Sequence, residues 1–420
     1  MSTYYMINST TMTSLANAVR NLRGNSNAYT PSEMIDDILP LTYISSSAYF
    51  NSQITSMSGN YIFIEINAFY ACTLLKNVLF PKCSLIENSA FYSCATLSSV
   101  SFPKCTIINN GAFQYCSALS SVSFPNCRDI GTSAFANCTA LTTVSFPKCT
   151  SIGGYAFINC SVLSLVSLPS CNYIDMDAFK SCVALTNISL PELTSVSTGT
   201  FARCSSLSSA YIPKLSNIGS YMFESCIALK NIQYSNITII NNYAFINCTA
   251  LTTVSFPKCT SIGDYAFNYC TALTTASFPS CTSIGNSAFS GCTALTTISF
   301  PKCTSIGDFA FRNCTKLTTI SFPLCTNIGY YAFGYCSSLT TISFPKCTSI
   351  EGYAFTYCTK LSSLYLNQVT SVTSLVNTNA FDGTPLSAGG TGKIYVPSSL
   401  LASFKAATNW SILSARLVGM

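Results

Sequence analysis

The sequence predicts an α/β solenoid of about fourteen 22-residue coils, each with one short parallel strand, between a helical N-terminal cap and a mixed C-terminal cap. Three observations carry this. Phenylalanine recurs fourteen times from Phe69 to Phe355 at one unbroken interval of 22 residues. Twelve of the sixteen prolines, Pro81 to Pro345, fall at one point of that period, interrupted only by Ser235. All 24 cysteines fall in two columns, three and fourteen residues after the key Phe. The period divides the chain into residues 1–58, a helical cap or attachment module; 59–372, the repeat array; and 373–420, a C-terminal cap.

One coil serves as the template: Cys259 to Ser280 reads CTSIGDYAFNYCTALTTASFPS. Around it, Leu251, Val254 and Phe256 occupy the L-x-x-L-x-L places of a leucine-rich repeat pattern, with Cys259 and Ile262 following. These residues, with Phe267 and Cys270, are expected to point inward, because stacked coils bury faces that one coil cannot close alone. Proline cannot donate to a central ladder, so it marks where each strand stops and leaves a strand of about Thr253 to Phe256. Residues Gly263 to Cys270 read as one turn of helix or a tight loop on the opposite face, with Gly263 allowing the turn and Ala266 making a small inward contact.

The segments IGDYAFNYCTALTTASFP at 262–279 and IGDFAFRNCTKLTTISFP at 306–323 carry the pattern I-G-x-x-A-F-x-x-C followed by L-x-x-[VI]-x-F-P. In these segments the chain resembles the BspA-like (Treponema-type) leucine-rich repeat proteins over about three quarters of its length. The resemblance implies the fold and a role in adhesion or recognition at bacterial, protist or viral surfaces. It implies no reaction and carries over no catalytic residue.

Composition narrows the function classes. Only 8% of residues are charged, 49% are hydrophobic and the mean hydropathy is +0.39, yet no run of 18 apolar residues exists. Membrane insertion is therefore not expected. The net charge of +6 is mild and the lysines are dispersed, which argues against nucleic acid. Without histidine the chain lacks the usual general base and the commonest metal ligand, and its fourteen acidic residues do not cluster at matching coil positions. No enzyme, cofactor or metal site is expected. GGTGK at 389–393 is not a phosphate loop, since Ser387 and Ile394 fall where glycine and Ser/Thr are required.

In the second cysteine column Leu193, Leu215 and Ile237 replace cysteine in three successive coils, as expected for a position that needs only a small hydrophobe. The flanking blocks, Cys83–Cys171 and Cys259–Cys347, hold five cysteines each, so neighbour-to-neighbour bridging strands a thiol in both. The columns read as ladders of reduced buried thiols. Disulfides between adjacent coils, about 5 Å apart, are the alternative.

Function is expected in the outward columns. One candidate binding face is the aromatic column two residues before the key Phe: Tyr221, Tyr243, Tyr265, Phe309, Tyr331 and Tyr353, with a second set at Tyr115, Tyr269, Tyr335 and Tyr357. Such rings fill gaps between coils or, exposed in rows, suit sugars or a protein. The alternative is the strand face, whose exposed positions form a hydroxyl array of Thr253, Ser255, Thr275, Ser277, Thr297, Ser299, Thr319, Ser321, Thr341 and Ser343. That array is a plain soluble β-face, or a lattice for glycans, other copies of the chain or ice. Lys82, Lys104, Lys148, Lys214, Lys258, Lys302 and Lys346 form a third column, which solubilises a rim or attracts an acidic polymer.

Both ends leave the repeat. SLANAVRNLR at 14–23, then Thr30-Pro31-Ser32-Glu33 capping PSEMIDDIL, reads as a helical hairpin over residues 1–45. It resembles the small N-terminal helical module of phage tail and virion-associated proteins. After Cys358 a strand is expected at 393–397 and a helix at 398–410, a stretch resembling the terminal cap of BspA-like proteins, with Trp410 plugging the last coil. Residues 1–25 lack a signal-peptide pattern. The expectation is therefore a non-enzymatic recognition protein, a phage tail or virion component meeting a host surface glycan or protein, and other virion proteins through residues 1–45. The alternatives are a bacterial or protist surface adhesin, and a filament or decoration protein that self-associates through its repeat faces. Its place is the virion or the extracellular space.

Overall fold

The computed structural model describes residues 43–420. It is a parallel β-solenoid of about seventeen coils. Each repeat supplies two strands: a three-residue strand such as Thr253–Ser255, and a two-residue strand such as Ser261–Ile262. The second row was not foreseen. Successive strands pair in register, Thr253↔Thr275↔Thr297 in one row and Ile240↔Ile262↔Ile284 in the other.

Leu251, Val254, Phe256, Ile262, Ala266, Phe267 and Cys270 all lie in the core at 9% exposure or less. The fourteen key phenylalanines are wholly buried and stack ring on ring. Phe69–Phe91 is the tightest step at 5.0 Å between centroids, and Phe201–Phe223 the widest at 5.9 Å. Each such burial is worth about 1.5–3 kcal/mol, and near-parallel rings at coil spacing give the stack its regularity.

Among the described residues little is helical, which corrects the α/β class there. The Gly263–Cys270 segment is a run of turns closed by Asn268 N to Tyr265 O (3.2 Å) and Cys270 N to Phe267 O (3.1 Å). Two residues per coil make this possible by adopting left-handed backbone, two before and two after the key Phe, as at Tyr265 (φ 56°) and Tyr269 (φ 56°). Gly263 has another role than the one expected. It permits close approach, since a Cβ there would sit 2.6 Å from the backbone nitrogen of Asn242 in the preceding coil.

The helical hairpin expected over 1–45 falls almost wholly on residues 1–42, outside the described residues. Residues 43–58, assigned to the same module, are turns and strands, with Tyr43–Ile44 paired to Phe63–Ile64. At the other end, Lys393–Val396 and Leu417–Gly419 extend the strand row. Between them the α-helix is only Leu401–Ala406, flanked by 3-10 turns.

The middle of the array is its irregular part. Leu168, Leu190, Ile212 and Tyr234 replace the strand-end Phe there, and Leu193, Leu215 and Ile237 replace cysteine. The three-residue row breaks between Ser123 and Thr143, between Ser167 and Asn187 and between Gln233 and Thr253, and the two-residue row between Val196 and Asn217, so all these interruptions but the first fall in this region. Leu and Ile, smaller than Phe in one column and larger than Cys in the other, do not repeat the coil spacing that Phe and Cys set.

Candidate functional site

The hydroxyl array is built by register. In each strand Thr and Ser flank one buried residue, so alternation puts both hydroxyls outward, and in-register pairing lines them up across coils. All ten residues of the array are exposed except Ser343, which is half-buried. A groove of about 1070 Å³ runs over this face from Ser209 to Ser321. Its floor carries Thr253, Ser255, Thr275, Ser277, Thr297 and Ser299. Its N-terminal end is formed by Lys230, Asn231, Gln233 and Tyr234, where the strand row is interrupted. The Tyr234 hydroxyl donates to the Ser255 carbonyl, its ring stacks on Phe256 at 4.3 Å, and burial pushes its phenol up to about 12. A neutral phenol, amides, hydroxyls and one ammonium therefore converge at that end. A smaller hollow of about 290 Å³ lies over Asn77–Ser123 of the same row.

The aromatic column sits elsewhere. Tyr221, Tyr243 and Tyr265 stack at 4.5 and 4.8 Å, and Phe309, Tyr331 and Tyr353 at 5.5 and 4.6 Å, with Ser287 dividing the two stacks. All six are half-buried. Their rings pack the gaps between coils while one edge faces solvent. In the second set Tyr115, Tyr269 and Tyr357 are exposed, at 44%, 54% and 52%, and Tyr335 is half-buried. The seven lysines of the third column are all exposed, and several are tied to the coil before, as Lys214 to Glu192 and Lys148 to Asn126.

All 24 cysteines are buried and unbridged. From Cys94 onward the first column donates each thiol to the key Phe carbonyl of the preceding coil at 3.0–3.2 Å, as Cys270 to Phe245, while Cys72 donates to the Tyr49 carbonyl at 2.8 Å. The second donates to the carbonyl two residues ahead, as Cys259 to Ser261 at 3.2 Å. Threonine does similar work at the surface, Thr282 Oγ1 donating to Thr260 O at 3.0 Å and Thr274 Oγ1 to Thr252 O at 3.0 Å. These hydroxyl ladders are legible in the T-S-I and L-T-T positions of each coil but were not anticipated.

The model of the BspA type leucine rich repeat region matches residues 42–164, 150–274 and 260–387. The chain belongs to that family. The BspA-type protein is similar to a crystal structure of a leucine-rich repeat protein from Bacteroides ovatus, with 24% identity, a TM-score of 0.63, and coverage of 86% of this chain and 88% of that one. It is also similar to a leucine rich cell surface protein from Faecalibacterium prausnitzii, with 26% identity, a TM-score of 0.43, and coverage of 68% and 85%. No curated protein matches it. BspA-type repeat proteins are typically found at the cell surface or outside the cell. Among the described residues no helix is long and apolar enough to cross a membrane.

Proposed function

We propose that this BspA-type protein is a non-enzymatic recognition protein that holds an extended surface ligand along its strand face. The observation that supports this is the Thr/Ser-floored groove, which spans six coils from Ser209 to Ser321 and offers uncharged donors and acceptors at coil spacing. A long ligand with repeating hydroxyl or amide groups, a glycan chain or an extended peptide, meets the same chemistry at each step. Coupling a patch across several coils raises weak single contacts by effective concentration.

The test is attachment of the labelled full chain to panels of bacterial and animal cells. Thr275→Arg with Thr297→Arg should fill the groove, change stability by no more than about 0.5 kcal/mol as exposed substitutions do, and abolish attachment. Retained attachment sinks the strand-face reading. Loss in Tyr265→Ser, Tyr331→Ser, Tyr353→Ser instead would move binding to the aromatic column.

The finer context, a phage tail or virion component meeting its host, rests on the SLANAVR and TPSEM segments of the N-terminal sequence. Neighbouring tail or capsid genes, or co-fractionation with particles, favour it; fractionation with cell envelopes favours a cell-surface adhesin. Side-by-side filaments of the isolated protein by electron microscopy would favour the structural alternative.

A further inference from the structure

Arg312 differs from every residue that shares its column. It follows the key Phe311, and the same place in the flanking coils is held by Ser290 and Gly334, whose small size leaves room for a guanidinium. That guanidinium lies 5.9 Å from the Phe309 ring centre, 5.8 Å from that of Tyr331 and 5.5 Å from that of Tyr335. Its side chain makes no hydrogen bond or ion pair within the described residues, and its Nε is buried without a partner. An unpaired buried guanidinium nitrogen costs free energy that aromatic faces offset only in part.

The three rings are held at a further cost. Phe309, Tyr331 and Tyr335 all hang from left-handed backbone, with φ of 58°, 52° and 64°, a conformation dearer for a side chain than for glycine. Tyr330 stands edge-on to Tyr331 at 4.8 Å, and Tyr357, 52% exposed, stacks on Tyr335 at 5.1 Å. Residues 302–360 carry five basic side chains (Lys302, Arg312, Lys316, Lys346, Lys360) against two acidic ones (Asp308, Glu351). The acids are engaged: Asp308 accepts from the Tyr330 backbone and Glu351 from the Ser349 hydroxyl. None of the aromatic cluster lines the strand-face groove.

We propose that Arg312 and the rings around it form a second binding site, for a saccharide unit bearing one anionic group. The sugar lies across the solvent-facing edges of the stacked Tyr335 and Tyr357 rings, and the carboxylate or phosphate takes the free guanidinium, which is planar, permanently charged and shaped for two parallel hydrogen bonds. Aromatic faces exclude water from that pair and strengthen it. The site is independent of the groove, so either can fail alone.

The test is calorimetric titration of the full chain with three probes: a tetramer of galacturonic acid, the uncharged galactose tetramer, and a glycerol-phosphate oligomer. One or both anionic probes should bind, the neutral one at least about tenfold more weakly, as expected for loss of a charge-assisted hydrogen bond. Which anionic probe binds tells a carboxylated sugar from a phosphate polymer. R312Q should weaken binding by at least about tenfold, and Arg312→Lys should recover only part of it. Tyr357→Ser, at an exposed position, should weaken binding without loss of thermal stability and decides the matter should R312Q fail to fold. The proposal is overturned if neither anionic probe binds, if the neutral tetramer binds equally, if folded R312Q binds as before, or if Tyr357→Ser binds undiminished.

Discussion

The thiol of Cys94 donates to the carbonyl oxygen of Phe69, 25 residues earlier, at 3.1 Å. That carbonyl also accepts from the backbone nitrogen of Cys72 at 3.2 Å within its own coil. The same geometry recurs down the column to Cys358 and Phe333 at 3.0 Å. Cysteine here is a small apolar residue whose one weak donor closes a backbone lone pair between coils.

Such thiols should be inert in the folded protein. Burial raises them, to about 12 at Cys83 and about 11 at Cys303, and the thiolate is the reactive form. A chromogenic disulfide reagent at pH 8 should label close to none of them in the native state and close to all 24 after unfolding. A native count near 24, or an unfolded count near zero, contradicts the reduced ladder.

Alkali should be the weak side of the stability curve. The folded-state value of each cysteine lies above its unfolded value near 9.0, so the contribution is complete below pH 9 and falls as pH rises towards 11 at Cys303 and 12 at Cys83. Each such group withdraws about 1.4 kcal/mol per pH unit in that window. Circular dichroism against pH should show a flat region at neutrality and a steep cooperative loss above about pH 9. Stability that held to pH 12 would mean that the thiols are not free or not buried.

Left-handed positions should reward glycine. Ser225 has φ 55°, and the equivalent place in the coil just before that of Arg312 is already Gly291, with φ 75°. Ser225→Gly should stabilise by up to about 1 kcal/mol, part of the strain relief being offset by unfolded-chain entropy. Ser225→Val, β-branched, should destabilise by about 1–2 kcal/mol. Urea unfolding reads both, and equal midpoints for the two variants would show the turn to be otherwise built.

The ring stack should tolerate no gap. Phe289 lies between Phe267 at 5.2 Å and Phe311 at 5.4 Å, fully buried. Phe289→Ala should cost about 3–5 kcal/mol, and because each coil leans only on its neighbours the loss should show as early local hydrogen exchange around residues 267–311. Uniform exchange along the chain would argue for one cooperative unit instead.

Removal of residues 398–420 should uncover an edge. Trp410 is 1% exposed, donates its indole N–H to Thr373 O at 2.7 Å and packs edge-on to Phe404 at 5.3 Å, while Leu417–Gly419 covers Lys393–Val396. Without them an unpaired strand and the Phe381 ring face solvent, a template for end-to-end association. Light scattering should show oligomers for the truncated chain. A monomer of unchanged stability means that this segment is not a cap.

Much of the fold was legible because a 22-residue period needs only local identity: Phe267, Cys270, Leu251 and Ile262 announce their burial by recurring. The two hydroxyls flanking Val254 were legible too, since alternation in a strand has period two. The second strand row was missed because Ser261–Ile262 is only two residues long and makes its hydrogen bonds to other coils, not within its own segment. Gly263 was assigned to a turn because sequence carries its small size but not the 2.6 Å approach of Asn242 that requires it.

By itself the sequence determined the solenoid, its repeat length, its family and the inward identity of each column, because these follow from periodicity and side-chain size. Only the tertiary structure decided what the outward columns become. It half-buries Tyr265 and Tyr331 by stacking them on neighbours a full coil away, and it leaves the Thr275 and Thr297 rows open as a groove. It also brings Arg312 among rings from its own coil and the next. The physical reason is that coil-to-coil contacts join residues 22 apart, where exposure depends on what the next coil places alongside and not on the residue itself.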